Sequence, residues 1–190
     1  MIGGNYQDEV ANESTRTSAQ GTNSQIGPFL FAPLAQIANQ TIDTSSVFGG
    51  VDFHVTDELT LQGSVRYAAQ NRDFNGCIAD AGAGQTGVSA ADAFSFLATI
   101  LSGNPTTIPA GGCVTLDATT LIPGLAYSSL DEDNVSWRLG ADYRFNANAM
   151  IYANITRGYK SGSYALVPGI LSSQFTPVTQ ESVLAFEAGT

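Results

Sequence analysis

Two stretches of this chain alternate apolar and polar residues with a period of two, over lengths that few soluble strands reach. From Val47 to Val55, the residues Val47, Gly49, Val51, Phe53 and Val55 fall on one side, and Phe48, Gly50, Asp52 and His54 on the other. After the polar triplet Thr56-Asp57-Glu58 the pattern resumes, with Leu59, Leu61, Gly63, Val65 and Tyr67 set against Thr60, Gln62, Ser64 and Arg66. A second pair repeats the grammar. Val135, Trp137, Leu139, Ala141, Tyr143 and Phe145 alternate with Ser136, Arg138, Gly140, Asp142 and Arg144. Past Asn146-Ala147-Asn148, the residues Ile151, Ala153 and Ile155 alternate with Tyr152, Asn154 and Thr156. Successive side chains of a strand point to opposite faces, so each stretch is a strand with one apolar and one polar face. The short polar joints make each pair an antiparallel hairpin.

An apolar strand face must be covered. A soluble antiparallel sandwich covers it with a second sheet; a membrane barrel turns it toward hydrocarbon and keeps its polar face wet. Strand length and composition favour the barrel. Leu59 to Phe74 exceeds the usual strand of about five or six residues and suits a tilted span of about ten with an extension beyond it. Only 13% of the residues are charged, with Lys160 the single lysine, against about a quarter in soluble domains. Between Val135 and Phe145 every charge lies on one face, and charges of this kind need water or partners. Trp137, Tyr143, Phe145, Tyr67 and Phe74 lie toward strand ends, where aromatic girdles meet lipid headgroups. The longest apolar run, Ala90 to Leu101, stops at Gly103-Asn104-Pro105, short of the roughly 18 residues a spanning helix needs. Any crossing is made by strands.

The connections alternate between brief and long. Thr56–Glu58 and Asn146–Asn148 are turns, whereas residues about 10–43, 75–132 and 161–176 read as long loops. In outer-membrane barrels the brief turns are periplasmic and the long loops extracellular, and long structureless loops are rare in compact domains. The expected fold is therefore all-β: an antiparallel meander of about six long strands forming part of a transmembrane β-barrel wall. Ile2 to Gln7 is the upper end of an earlier strand, and the last strand begins at about Val178 and is cut off. Ser89-Ala90-Ala91-Asp92 resembles a capping box ahead of Ala93, Phe94, Phe96, Leu97, Ile100 and Leu101 at helical spacing, which predicts a short loop helix ending at Gly103. Its bland role is a hydrophobic patch that folds the loop on itself; its functional one is a lid or ligand contact. Residues 1–9 show no export signal, and the chain reads as a truncated piece, residues 1–190 forming one partial barrel domain.

The segment Tyr152-Ala153-Asn154-Ile155-Thr156-Arg157-Gly158-Tyr159-Lys160-Ser161-Gly162 resembles a stretch in the barrels of TonB-dependent receptors, where an ascending strand ends in an Arg-Gly-Tyr-Lys-Ser-Gly type sequence. The likeness extends to Trp137–Phe145 before it and to Pro177–Glu181 and Ala185–Gly189 after it. Gly63-Ser64-Val65-Arg66-Tyr67 is similar to a family strand of Gly-x-Arg-Tyr type. This resemblance implies a barrel of about 22 strands with an N-terminal plug in the outer membrane of a Gram-negative bacterium. It also implies proton-driven import, through TonB, of a siderophore, cobalamin or oligosaccharide. Neither plug nor TonB box is recognisable here, so TonB would act through a missing N-terminal region. The implied partners are outer-membrane lipid, lipopolysaccharide and a small-molecule ligand such as a metal chelate. An adhesin or structural outer-membrane barrel with surface-binding loops is the alternative, and a soluble sandwich ranks third.

Candidate site residues are sparse. Arg66, Arg138, Asp142 and Arg144 share the polar faces and are expected to face the lumen, lining a substrate path or pairing with Glu187 and plug residues. Arg157 to Gly162 serves the strand-to-loop transition, with Gly158 easing a close approach and Lys160 meeting water or lipopolysaccharide phosphate. Cys77 and Cys113 fall in one long loop of an oxidising compartment, which predicts a disulfide. Neither cysteine has a neighbouring histidine or a CxxC partner, so no metal site is expected. Asp131-Glu132-Asp133-Asn134 lacks the spacing and central glycine of a calcium loop and reads as a solvated strand entrance. A formal charge of −10 repels polyanions and disfavours nucleic acid. The single histidine, His54, lies beside a predicted periplasmic turn, and neither Lys160-Ser161 nor Gly82-Ala83-Gly84 sits in a phosphate-binding context. No enzyme activity and no cofactor are expected.

Overall fold

The computed structural model describes residues 1–17, 24–26, 29–31, 33–83, 87–164 and 169–190. In chain order the elements are β1 (Ile2–Thr17), β2 (Ser24–Ile26), β3 (Phe29–Phe31), β4 (Leu34–His54), β5 (Leu59–Asp80), α1 (Ala90–Ser102), β6 (Ala126–Asn146), β7 (Ala149–Lys160), β8 (Ser163–Tyr164), β9 (Pro177–Val178) and β10 (Glu181–Gly189), with a 3₁₀ turn at Ser172–Gln174. One six-stranded sheet in the order β1-β4-β5-β6-β7-β10 dominates, antiparallel at every step, beside two small ladders, β2-β3 and β8-β9. It is an up-and-down meander open at β1 and β10 among the described strands. The expected hairpins are all present.

The two short joints follow from local chemistry. At the first, Thr56 Oγ1 accepts the backbone N–H groups of Glu58 and Leu59, and the N–H of Val55 donates to Leu59 O at 2.9 Å. At the second, Asn146 Oδ1 accepts the N–H of Asn148 at 2.9 Å, an Asx turn that reverses the chain in two residues.

Register fixes the faces. Val51 lies opposite Gly63, Gly63 opposite Leu139, and Leu139 opposite Ile155, which faces Phe186. The next row runs Ile2, Gly49, Val65, Trp137, Arg157 and Leu184. Directly opposed residues share a face, so these rows form one continuous apolar surface. Val51, Phe53, Leu61, Val65 and Leu139 are exposed, Trp137 is half-buried, and among the described residues no second sheet covers them. That excludes the sandwich. Along β6 the apolar positions run from Val135 to Phe145, ten steps of about 3.4 Å, which at a tilt of about 40° give a band about 26 Å tall.

Beyond this band the strands continue further than their patterning indicates. Residues 10–43 were expected to be loop, yet β1 extends through Val10–Thr17 and β4 begins at Leu34, with Thr17 opposite Leu34. Within the expected loop 75–132, β5 runs on to Asp80 and β6 starts at Ala126. The physical reason is that outside hydrocarbon the ladder needs only backbone pairing, its residues meeting water along β1 and loop segments of the chain at Ala38, Phe74 and Ile78. Its side chains then carry no alternation, as Asp131, Glu132 and Asp133 of β6 show by occupying both faces. The last long strand begins at Glu181, because Pro177–Val178 instead pairs with Ser163–Tyr164. Of the expected loop spans and of the Gly82–Gly84 stretch, residues 18–23, 27, 28, 32, 84–86 and 165–168 lie outside the described residues.

The connection between β5 and β6 has its own core. Ser89 caps α1, its hydroxyl accepting the N–H of Asp92 at 3.1 Å while the Asp92 carboxylate accepts the Ser89 N–H at 3.1 Å, and Gly103 ends the helix at φ 70°. Ala90, Ala91, Ala93 and Phe94 pack with Ile78, Ile108 and Val114, with Leu97 at the margin; Ile100 and Leu101 are exposed. The hydrophobic patch thus folds the loop onto the strand end.

Candidate functional site on the polar face

On the polar face, register places Arg66 opposite Ser136 and Arg138 opposite Ser64 on neighbouring strands, with Asp142 opposite Thr60 and Tyr152. Arg66, Arg138 and Asp142 share this face, as alternation requires. Arg144 shares it too, but stands at the short-turn rim, where the pairing of β6 with β7 shifts between Arg144 and Asn146. It therefore stands apart from the arginine pair.

The carboxylates nearby are already engaged. Gln62 Nε2 donates to Asp142 Oδ2 at 2.6 Å. Glu187 accepts from Tyr152 OH at 3.1 Å and from Asn154 Nδ2 at 2.9 Å. Arg138 makes no hydrogen bond to Glu187, whose two oxygens are taken by the cross-strand neighbours Tyr152 and Asn154, but its charge acts on Glu187 across β7. Among the described residues the Arg138 side chain has no hydrogen-bond partner, and Arg66 has only Asn5 Oδ1 at 3.5 Å.

Farther from the short turns, the polar face is closed over by the chain between β7 and β10. Tyr164 stacks on Phe74 with ring centroids 4.5 Å apart, Phe175 lies 5.8 Å from Phe74, and Ala38 and Leu130 complete the cluster. Glu132 ties this segment down, its two carboxylate oxygens accepting the N–H of Gly162 at 2.8 Å and of Gln180 at 2.5 Å. Nothing in the Asp131–Asn134 run marked Glu132 for this part, since its partners lie about 30 and 48 residues downstream. The close approach expected at Gly158 is instead at Gly162. A Cβ on Gly158 would meet only Val183 Cγ1 at 3.7 Å, whereas one on Gly162 would collide with Val178 O and press on Leu130 and Glu132. Lys160 lies on the polar face, paired in register with Glu181, so Arg157 is the cation of this segment that shares the apolar face, over the Tyr159 ring at 5.3 Å.

The β5–β6 connection is anchored to the same strand ends. Cys77 and Cys113 form a disulfide with an S–S distance of 2.01 Å, Cys77 being in β5 and Cys113 in the connection. The N–H of Val114 donates to Ile78 O at 2.7 Å, so residues 112–114 continue the sheet where β6 has not begun. Asp80, 5% exposed, accepts the N–H groups of Ala90 at 3.0 Å and Gly111 at 3.0 Å, and so fixes the start of α1. The Thr115 hydroxyl accepts from Ile78 N and donates to Gly169 O, joining both connections. On the exposed rim, hydrogen bonds from the Ser89 side chain and backbone hold the Asp92 carboxyl below its ordinary value, and those from Thr120 and Thr119 do the same for Asp117. Among the described residues no group of His, Cys, Asp and Glu is placed to hold a metal ion.

Comparison with known proteins agrees with this architecture. The family model described as TonB dependent receptor-like, beta-barrel matches residues 1–189. The crystal structure of the ferric yersiniabactin uptake receptor FyuA from Yersinia pestis superimposes with a TM-score of 0.55 at 14% identity, over 99% of this chain and 26% of that receptor. The chain therefore spans about a quarter of that receptor's length, and the likeness is one of fold. No curated protein matches. A two-faced antiparallel meander with an uncovered apolar band, together with a family model matching almost every residue, shows that the chain belongs to the TonB-dependent receptor β-barrel family.

Proposed function

We propose that this chain is a section of the wall of an outer-membrane receptor of a Gram-negative bacterium that imports a small solute such as a siderophore, cobalamin or oligosaccharide. The observation that carries the reading is the pairing of an exposed apolar band about 26 Å tall, which fits the hydrocarbon thickness a barrel must cross, with a polar opposite face bearing Arg66, Arg138 and Asp142. Hydrocarbon and lipopolysaccharide acyl chains cover the apolar band. The polar face lines the lumen, and the loop-bearing rim is extracellular. Arg157, with its stem beside Trp137 and its guanidinium over Tyr159, sits where a cation reaches the outer headgroups. The chain supplies scaffold and extracellular cover rather than catalysis, and energy coupling through TonB belongs to parts of the receptor outside these strands.

Uptake by cells expressing the full-length receptor tests this, using labelled ferric chelates, cobalamin and maltooligosaccharides with TonB present and deleted. Accumulation of one of them that requires TonB is the expected result. Surface attachment without TonB-dependent accumulation of any would replace the reading with that of an adhesin.

A further inference from the structure

We propose that the apolar face carries a binding site for one lipopolysaccharide molecule, with an acyl chain of its lipid A in a groove over Gly49 and Gly63 and one of its phosphates on Arg157. The inference rests on the proposed assignment of this face to lipid, and it turns general contact with the leaflet into a defined, saturable site.

Alternation presents every second residue of a strand to the apolar face, and at two adjacent points that residue has no side chain. Gly49 faces Val65 and Gly63 faces Val51, so the two glycines are diagonal neighbours on β4 and β5. The backbone does not require them, since the left-handed glycines among the described residues are Gly82, Gly87, Gly103 and Gly111. Packing does not require them either: a Cβ on Gly49 would lie 3.7 Å from Met1 O, and one on Gly63 3.7 Å from Leu139 Cδ2, both ordinary contacts. Glycine inside a strand weakens it, and one of its uses is to let a ligand approach the backbone closely. Here the two leave a depression of about 680 Å³, walled by Ile2, Val51, Val65, Trp137 and Leu139, with Gly50 and Ser64 at its floor. Its glycines belong to interior strands, each paired on both sides, so the sheet itself fixes its shape.

Trp137 joins this groove to a charge. It faces Val65 on one side and Arg157 on the other. Arg157 is exposed, with its guanidinium over the Tyr159 ring at 5.3 Å, and among the described residues it has no hydrogen-bond acceptor. It is also the only basic side chain that register places on this face within the apolar band among the described residues. A guanidinium fork takes a phosphate through paired N–H donors. With strands about 4.8 Å apart and a rise of about 3.4 Å per residue, Gly63 lies about 12 Å from Arg157 between Cα atoms. That distance leads from the phosphate of a lipid into the upper part of its chain. The groove is continuous with the band that hydrocarbon covers, and Arg157 lies in the half of the band nearer the long connections, where the outer leaflet is lipopolysaccharide. Exchanging one lipid chain for another gains no hydrophobic energy, so a lipid is retained here by close packing in the groove and by the charge contact together.

The test adds deep-rough lipopolysaccharide, and separately phosphatidylglycerol, to delipidated full-length receptor in detergent and follows retained lipid by native mass spectrometry. A lipopolysaccharide adduct is expected to persist under collisional activation that strips phosphatidylglycerol. Its apparent affinity should fall about tenfold in Arg157→Gln and in Gly63→Leu, and less in Arg157→Lys. Ala153→Leu adds the same bulk to the same face two strands from Gly63, at an exposed position, and should leave the adduct unchanged. Heat-modifiable gel migration confirms that each variant is a folded barrel; should Gly63→Leu fail to fold, Gly49→Val fills the other half of the groove and is expected to weaken binding likewise. Equal or stronger retention of phosphatidylglycerol overturns the inference, as does an adduct insensitive to both Arg157→Gln and the groove-filling variant, or an equal loss in Ala153→Leu. Receptor that gives any of those results while accumulating its solute in a TonB-dependent way retains the proposed function and loses this site. Receptor that holds lipopolysaccharide as expected without TonB-dependent uptake keeps the site and loses the transport reading.

Discussion

A charge placed on the apolar face separates a membrane wall from any soluble reading, and the register says how much it costs at each depth. The apolar positions of β6 run from Val135 to Phe145, so the middle of the band falls between Leu139 and Ala141. Leu139 is one residue from that centre, within about 3 Å of mid-height for a strand rising about 3.4 Å per residue at a tilt of about 40°. Arginine at the bilayer midplane of a barrel costs about 2–4 kcal/mol, falling to about 0–1 kcal/mol near the interfaces. Leu139→Arg is therefore expected to destabilise the receptor by about 2–4 kcal/mol, and Phe145→Arg, at the rim of the same strand and face, by about 1 kcal/mol or less. The measurement is equilibrium guanidinium unfolding of full-length receptor in phospholipid vesicles. Equal costs at the two positions would refute the assignment of depth. An Arg138→Leu variant as costly as Leu139→Arg would refute the assignment of faces, because position 138 is taken to meet water.

Three further outcomes follow from the loop-bearing end. Replacing Cys77 and Cys113 together by Ser releases a closed loop whose ends are 36 residues apart, worth about 4 kcal/mol in the chain-entropy account; hydrogen exchange at Val114, Ile108 and the α1 amides should accelerate by up to several hundredfold, and unchanged protection would show the cap to be held by other contacts. Asp92 has its folded pKa lowered by the Ser89 hydrogen bonds, so its contribution is present above the unfolded carboxyl value and lost as pH falls through the depressed folded one; protection of α1 should drop across that acidic window in wild type and show no such step in Asp92→Asn. Gly162→Ala should destabilise the β8–β9 ladder and loosen the Glu132 clamp, while Gly158→Ala stays within about 0.5 kcal/mol of wild type; comparable effects in the two variants, read by proteolysis at residues 161–180, would contradict the placement of the close approach.

What could be read from the residues and what could not divides at the edge of the apolar band. Inside it, each residue must answer to one of two solvents, so alternation is enforced and the chain states its own register. Val51, Leu61, Leu139 and Ile155 lie on one face, and Arg66, Arg138 and Asp142 on the other, as their spacing requires. The turns were legible for a similar reason, since Thr56 and Asn146 close them with their own side chains. Outside the band no hydrocarbon sorts the faces, and loop segments of the chain cover Ala38, Phe74 and Ile78 instead. Val10–Thr17 and Leu34–Asp43 then look like loop although they form an unbroken ladder, because backbone pairing leaves no mark on side-chain pattern once hydrocarbon no longer sorts the faces.

The parts that organise the loop-bearing end were illegible for a different reason, which is distance along the chain. Asp80 looks like an ordinary strand-end acid until α1 arrives above it, Thr115 like a loop hydroxyl until Ile78 and Gly169 meet it, and Glu132 like one of four polar residues until Gly162 and Gln180 return to it. Arg66 and Arg138 likewise each read alone as a lumen charge needing water, and only the β5–β6 register sets them diagonally on one face.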